Sequence, residues 1–387
     1  MRSVLEIRAF LLLLVAFSFV VSARAQTPTL RSLATARGFT MGAGATDPKE
    51  LHDSQYAKIA ASQYNAIEPA NTMKMRHLEP SRGVYDFSQS DVVVAFANAH
   101  GQKVTATAPV WFDSVPSWLT NGGYSPAQLT TILHDYIYAI IQHYHNDFPG
   151  VVNRWSVVSE ATHGSSVLDT IGTTNGYPSY ITLAYQYARQ ADPTLQLCYD
   201  DYGGEGLGIQ SDAIYNLVSY LKSRGLIDCV GLEGQWGGVD VRGIPPAEDI
   251  VSNINRLGTL GLDVYFSQVE IGGLPPTNSI FSHSDIAAQA KAYSTLLSAC
   301  LSTTACKAFF TWGISDKFAY CDQGGMCAPL PFDARYKAKL AYYALQSALT
   351  RSIPTRLISP YDLRPHPRPL APNPGNTSSP AHNLGGN

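Results

Sequence analysis

Short apolar runs alternate with helix-sized amphipathic runs along this chain until the count reaches eight. The strand-like runs are Phe39 to Ala43, Tyr64 to Ile67, Val104 to Val110, Arg154 to Glu160, Leu195 to Asp201, Cys229 to Leu232, Val264 to Val269 and Lys307 to Trp312. Their β-branched and aromatic content, with little alternation, marks strands covered on both faces. Helical spacing follows each of them: Leu51 to Ser62, Val92 to His100, Pro126 to Tyr144, Tyr180 to Gln190, Asp212 to Ser223, Ala247 to Leu257, Ser284 to Leu301 and Tyr336 to Leu349. The longest carries Leu129, Leu133, Tyr136, Ile137 and Ile140 on one stripe. Strand and helix in strict alternation demand a parallel sheet with right-handed crossovers. A doubly wound sheet meets that demand, but eight repeats of the unit favour a single (β/α)8 barrel. No internal sequence repeat accompanies the count.

The flanks read differently. Arg2 and Arg8 precede an apolar run from Ala9 to Val21, and Ala23-Arg24-Ala25 has the small-x-small form of a cleavage site. Residues 1–25 are therefore expected to be a secretory signal and 26–353 the barrel. The Pro-rich stretch 354–387 has little apolar content and reads as a disordered tail or spacer. With 27 basic and 30 acidic residues and no basic run, neither nucleic acid nor an anionic membrane is an expected partner. A monomer is the expectation.

Six cysteines suit an oxidising compartment. The close pairs Cys300 with Cys306 and Cys321 with Cys327 suggest two local disulfides. Cys198 and Cys229 lie in separate apolar strand-like runs, where buried free thiols are the favoured reading over a bridge. There is no Cys-x-x-Cys pair and no His-Glu-x-x-His run, so neither a metal nor any other cofactor is expected.

A barrel collects the carboxyl ends of its strands at one mouth, where side chains from distant segments meet. That mouth would hold Asn71 and Lys74; Thr107, Trp111, Phe112 and Asp113; Glu160; Asp200, Asp201 and Tyr202; Glu233, Gln235 and Trp236; Gln268 and Glu270; Trp312 and Asp316. Carboxyl groups among Trp and Tyr suit glycoside chemistry. One acid must protonate the leaving oxygen, a second group must attack or activate water, and aromatic faces stack on sugar rings.

With those residues in view the chain resembles the family 10 glycoside hydrolases, mostly endo-β-1,4-xylanases, from about Leu30 to Leu349. The likeness rests on Asn71-x-Met73-Lys74 followed by Glu79-Pro80-Ser81-Arg82-Gly83, on Val110-Trp111 with Pro116-Ser117-Trp118, and on Trp155-x-Val157-Val158-x-Glu160. Asp201-Tyr202, Val230-Gly231-Leu232, Trp312-Gly313 with Asp316, and the Cys300/Cys306 spacing add to it. The resemblance implies a xylan-type substrate and a retaining mechanism with Glu160 as acid/base. It also implies sugar contacts from Asn71 and Lys74.

The inner shell departs from the family pattern. The expected nucleophile position on the seventh strand holds Gln268, with Glu270 two residues on. Ala70, Thr107, Phe112, Ser159, Glu233 and Gln235 replace other usual residues. Three readings follow: a hydrolase whose second carboxylate is Glu270, Glu233 or Asp200; a saccharide-binding protein without turnover; or lyase or transferase chemistry in the same cleft. Catalytic candidates are Glu160, Gln268 and Glu270. Candidate substrate contacts are Asn71, Lys74, Thr107, Trp111, Ser159, Tyr202, Glu233, Gln235 and Trp312.

Overall fold

The computed structural model describes residues 27–236, 243–272, 283–319 and 328–351. Eight parallel strands, here β1 to β8, are Thr40–Ala43, Ala66–Ile67, Lys103–Trp111, Val152–Ser159, Gln196–Asp201, Cys229–Leu232, Asp263–Ile271 and Cys306–Thr311. Each pairs with its sequence neighbour, and β8 pairs with β1 (Thr40 opposite Ala308, Ala43 opposite Thr311), which closes the sheet. Closure excludes the doubly wound alternative. The (β/α)8 expectation holds.

Helices follow as the apolar spacing requires. The longest, Pro126–Asp147, buries Leu129, Leu133, Tyr136, Ile137 and Ile140 against the barrel. Ser125 caps it: its hydroxyl accepts from the Gln128 N–H, while Gln128 accepts from the Ser125 N–H at 2.9 Å. Pro126 at the first helical position loses no hydrogen bond there.

Three local features differ from expectation. The run read as one helix from Leu51 is two, Pro48–Leu51 and Ser54–Gln63. Asp53 divides them, because its carboxylate accepts from the N–H groups of Gln55 and Tyr56 and restarts the helix. The last helix begins at Leu340 rather than Tyr336, since Asp333 holds a turn by accepting from the N–H groups of Arg335 and Lys337. Two short hydrogen-bonded pieces lie outside the count of eight: the hairpin of Thr173–Thr174 with Tyr177–Pro178, and Gln235–Trp236 beside β7.

The core has two parts. The larger fills the space between strands and helices. The smaller consists of Ala66, Cys198, Cys229, Tyr265, Ala308 and Phe310, side chains of five barrel strands that meet inside the barrel. Gly42 makes room there, since a Cβ on it would come within 2.1 Å of the Phe310 ring.

The reading of Cys198 and Cys229 as free thiols is incorrect; they form a disulfide. The β5–β6 register sets them directly opposite one another, with Cα atoms 4.4 Å apart. Cys300–Cys306 is bonded as the spacing suggested. Cys321 and Cys327, the signal segment and the tail lie outside the described residues. No helix among the described residues is long and apolar enough to cross a membrane.

Cys198–Cys229 closes a loop with a sequence separation of 31, inside the barrel and just below the mouth. Replacing both by Ala is expected to lower unfolding free energy by about 4 kcal/mol, from the loop entropy restored to the unfolded chain. Urea unfolding of the double variant measures this, and an unchanged midpoint would contradict it.

Candidate active site

The carboxyl ends of the strands open into a cleft of about 650 Å³. Of the candidates read from sequence, Asn71, Lys74, Thr107, Trp111, Ser159, Glu160, Gln235, Gln268 and Trp312 line it. Tyr202, Glu233 and Glu270 do not. Ala45, Asp47, Arg76 and Lys317 are among the lining residues that sequence reasoning did not single out.

Glu160 follows the last residue of β4 in a left-handed backbone conformation, φ 54°, rare for a residue with a side chain. Two bonds hold that geometry: its N–H donates to the Asp200 carbonyl at 2.8 Å, and the His163 N–H donates to its own carbonyl at 3.0 Å. The strand thus stops abruptly and turns the carboxyl group into the cleft. Burial pushes the Glu160 carboxyl above its usual range, and Asp201 raises it further. The Trp111 indole, Lys74 and His163 oppose that shift by favouring the charged form.

Lys74 lines the cleft beside Trp111. Its ammonium lies 4.3 Å from the centre of the Trp111 ring and donates to Asn71 Oδ1 at 3.4 Å. Burial draws its pKa down, while Asp47, Glu160 and Glu233 hold it up. Asp47 fixes this corner by accepting from the N–H and hydroxyl of Thr72 and from the N–H of Asn71.

Across from β4, Gln268 presents its amide to the cleft. Its Oε1 accepts a short hydrogen bond from the Gln235 side chain. The β7 strand bulges between Phe266 and Val269 against β8. A bulge breaks the two-residue alternation of a strand, and here Gln268 lines the cleft whereas Glu270 is buried away from it. Glu270 is close enough to Tyr293, on the helix outside the barrel, to raise that phenol.

Beneath the floor stand three carboxyl groups with almost no access to solvent. Glu68, Asp200 and Glu233 are exposed by 0, 0 and 1 %. Neither oxygen of Glu68 or Glu233 has a hydrogen-bond partner among the described residues. Burial pushes both well above the usual carboxyl range; Asp200 adds to the shift of Glu68, and Glu160 is the first of four acids that add to that of Glu233. Both are thereby held toward the protonated form. Asp200 accepts from the Tyr265 hydroxyl at 2.5 Å and is pushed up to about 6, chiefly by burial. Gly231 allows that approach, as a Cβ there would fall 2.2 Å from Asp200 Oδ1.

Asp201 orients the turn that carries Glu160. It accepts from the Thr162 hydroxyl at 2.6 Å, the Tyr202 N–H at 2.9 Å and the Tyr199 hydroxyl, and pairs with His163 at 3.0 Å. His163 in turn stacks flat on Tyr202, with centroids 3.6 Å apart. Glu68 and His163 went unremarked in the sequence. Glu68 follows directly on the second strand, so the strand-end rule that selected Glu160 applied to it as well. No group of three or more His, Cys, Asp or Glu side chains that could hold a metal ion occurs among the described residues.

Comparison with known proteins agrees with this architecture. Residues 29–348 match the sequence model of glycosyl hydrolase family 10. Endo-1,4-beta-xylanase B of Thermotoga neapolitana is 30% identical over 351 residues, covering 89% of this chain and 98% of that one. Endo-1,4-beta-xylanase A of Phanerodontia chrysosporium is 31% identical, over 83% of this chain and 77% of its own. Among solved structures, native xylanase 10B from Thermotoga maritima superposes with a TM-score of 0.74 at 29% identity, covering 83% of this chain and 98% of its own. Xylanase 10B from Thermotoga petrophila, in complex with xylobiose, gives 0.74 at 28% identity, over 84% and 98%.

A buried carboxyl raised from 3.8 to about 6 keeps a proton in the folded state that the unfolded chain releases. Asp200 therefore lowers stability progressively as pH climbs from about 4 to about 6, by about 3 kcal/mol when complete. Asp200→Asn is expected to flatten that part of the stability–pH curve in denaturant titrations. An unchanged slope would contradict the assignment.

Proposed function

Since this chain belongs to glycosyl hydrolase family 10, we propose that it is a secreted hydrolase of β-1,4-linked xylan-type glycans in which Glu160 acts as general acid and then base. The observation that carries the proposal is Glu160 itself, turned into a saccharide-sized cleft between Trp111 and Gln268 and held toward its protonated form by burial. Asn71, Lys74, Gln235 and Gln268 offer polar groups to sugar hydroxyls, and Trp111 and Trp312 offer ring faces. The two disulfides among the described residues and the apolar run Ala9 to Val21 fit export.

The second acidic group is Glu233. Gln268 is a neutral amide and cannot form a covalent glycosyl-enzyme. Glu233 is coupled electrostatically to Glu160 and its oxygens are unbonded among the described residues. Two such carboxyl groups titrate as a pair, and loss of the proton from one opposes its loss from the other. In the reaction Glu160 gives its proton to the glycosidic oxygen, the bond from that oxygen to the anomeric carbon breaks, and the leaving sugar departs as an alcohol. Water adds to the anomeric carbon and returns its proton to the carboxyl pair. The remaining negative charge of the pair stabilises the positive anomeric centre.

One feature favours a second reading, a saccharide-binding protein without turnover. Gln268 is tied to Gln235, which leaves an uncharged β7 group in the cleft.

Aryl β-xylobiosides with graded leaving groups separate the two. General acid catalysis contributes about 10²–10⁴-fold, so Glu160→Gln is expected to slow hydrolysis of a poor leaving group by at least about 100-fold. A dinitrophenyl group, which leaves without protonation, should be affected far less. Since the acid form is needed, wild-type turnover of the poor leaving group falls as pH rises through the raised pKa of Glu160. Binding of xylo-oligosaccharides with no released product at any pH would replace the hydrolase with the binding protein.

A further inference from the structure

Three consecutive residues at the end of β6 take different places. Glu233 is buried among the other acids, whereas Gln235 lines the cleft and bonds Gln268. Gly234 between them has φ 63°, the left-handed backbone that glycine adopts without strain. That turn decides which of its two neighbours meets the cleft.

The turn is held from three directions. The Glu233 N–H donates to the Asp201 carbonyl at 3.1 Å, and the Gly234 carbonyl accepts from the Glu270 N–H at 3.3 Å. The Gly234 N–H goes to a side chain instead, donating to Oε1 of Glu205 at 3.0 Å. The same oxygen accepts from the Gly203 N–H at 3.2 Å. Glu205 is 5 % exposed and stands on the loop after β5. Asn253, on the helix Ala247–Thr259, anchors that loop by donating to the Gly204 carbonyl at 2.6 Å.

One carboxyl oxygen thus clamps the β5 loop to the turn that carries Glu233. The loop starts at the strand end that also holds the acid, since the Asp200 carbonyl accepts from the Glu160 N–H. Burial pushes the Glu205 carboxyl up, and the backbone N–H groups it accepts from, those of Gly234 and Gly203 among them, favour its charged form. Glu205 does not line the cleft.

We propose that Glu205 is a positioning residue for hydrolysis: by drawing the Gly234 and Gly203 N–H groups onto one oxygen, it fixes where Glu233 stands relative to Glu160. The inference rests on the reading above of Glu160 and Glu233 as the acidic pair. Glu205 acts through these neighbours and does not touch the sugar.

The test is steady-state kinetics of Glu205→Gln and Glu205→Asp on a nitrophenyl β-xylobioside, each well below its thermal midpoint. Glutamine loses the charge but keeps an oxygen at the same reach, able to accept both bonds. Aspartate keeps the charge but is one methylene too short to hold both. Glu205→Gln is expected to retain most of the wild-type kcat. Glu205→Asp is expected to lose about 100-fold in kcat with little change in KM, the cost of displacing a reacting group by about 1 Å. The reverse order, equal losses in both variants, or a lowered thermal midpoint with kcat unchanged would each overturn the assignment while leaving the hydrolase reading intact. Absence of turnover in the wild type overturns that reading and the inference with it.

Discussion

Everything in the mouth depends on the parallel pairing of β8 with β1. Without that closure Trp312, which follows β8, would stand at an open edge, far from Ala45 and Lys74 on the β1 and β2 side. With it, segments separated by hundreds of residues deliver their last side chains to one cleft. Parallel register also decides what lies below. It sets Cys198 against Cys229 and stacks Asp200 above Gly231, so covalent and electrostatic features of the floor share one cause.

The distribution of charge in that floor is the unusual part of the molecule. The β7 position holds an amide, and carboxyl groups appear instead on β2, β5 and β6, where solvent cannot reach them. Buried carboxyl groups without partners adopt the neutral form, because an unpaired charge in such surroundings costs far more than holding a proton. Glu233 in that form is close in shape and polarity to an amide. Gln268, for its part, fills the place of a carboxylate without its charge. In the proposed reaction the acid side is Glu160 with Trp111, Asp201 and His163 about it, whereas Glu233, the group that would counter positive charge, follows β6 and is buried. Burial and the neighbouring acid Asp201 hold Glu160 toward its protonated form, which is the form the proposed reaction needs.

Much of the fold was legible because its signals are local. β-Branched runs, a Ser-Pro start at Ser125-Pro126 and a buried stripe on the following helix depend on residues a few positions apart. The strand-end rule found Glu160 for the same reason. What escaped was set by register and by contacts between strands. Nothing in the separation of Cys198 from Cys229 shows that they face each other. The bulge in β7 between Phe266 and Val269 has no glycine or proline to announce it. Glu68 was hidden by its place just past a strand of only two residues. The bond between Gln235 and Gln268 joins two positions that depart from the family pattern and lie far apart in the sequence.

The central claim is that the second acidic group works from β6 and not from β7. The most direct measurement is turnover of an aryl β-xylobioside by Glu233→Gln beside Glu270→Gln, each checked for an unchanged thermal midpoint. The account predicts that Glu233→Gln loses turnover by about 100-fold or more while Glu270→Gln keeps it. Retention of turnover in Glu233→Gln, with its loss in Glu270→Gln, would contradict the account and return the missing carboxylate to β7.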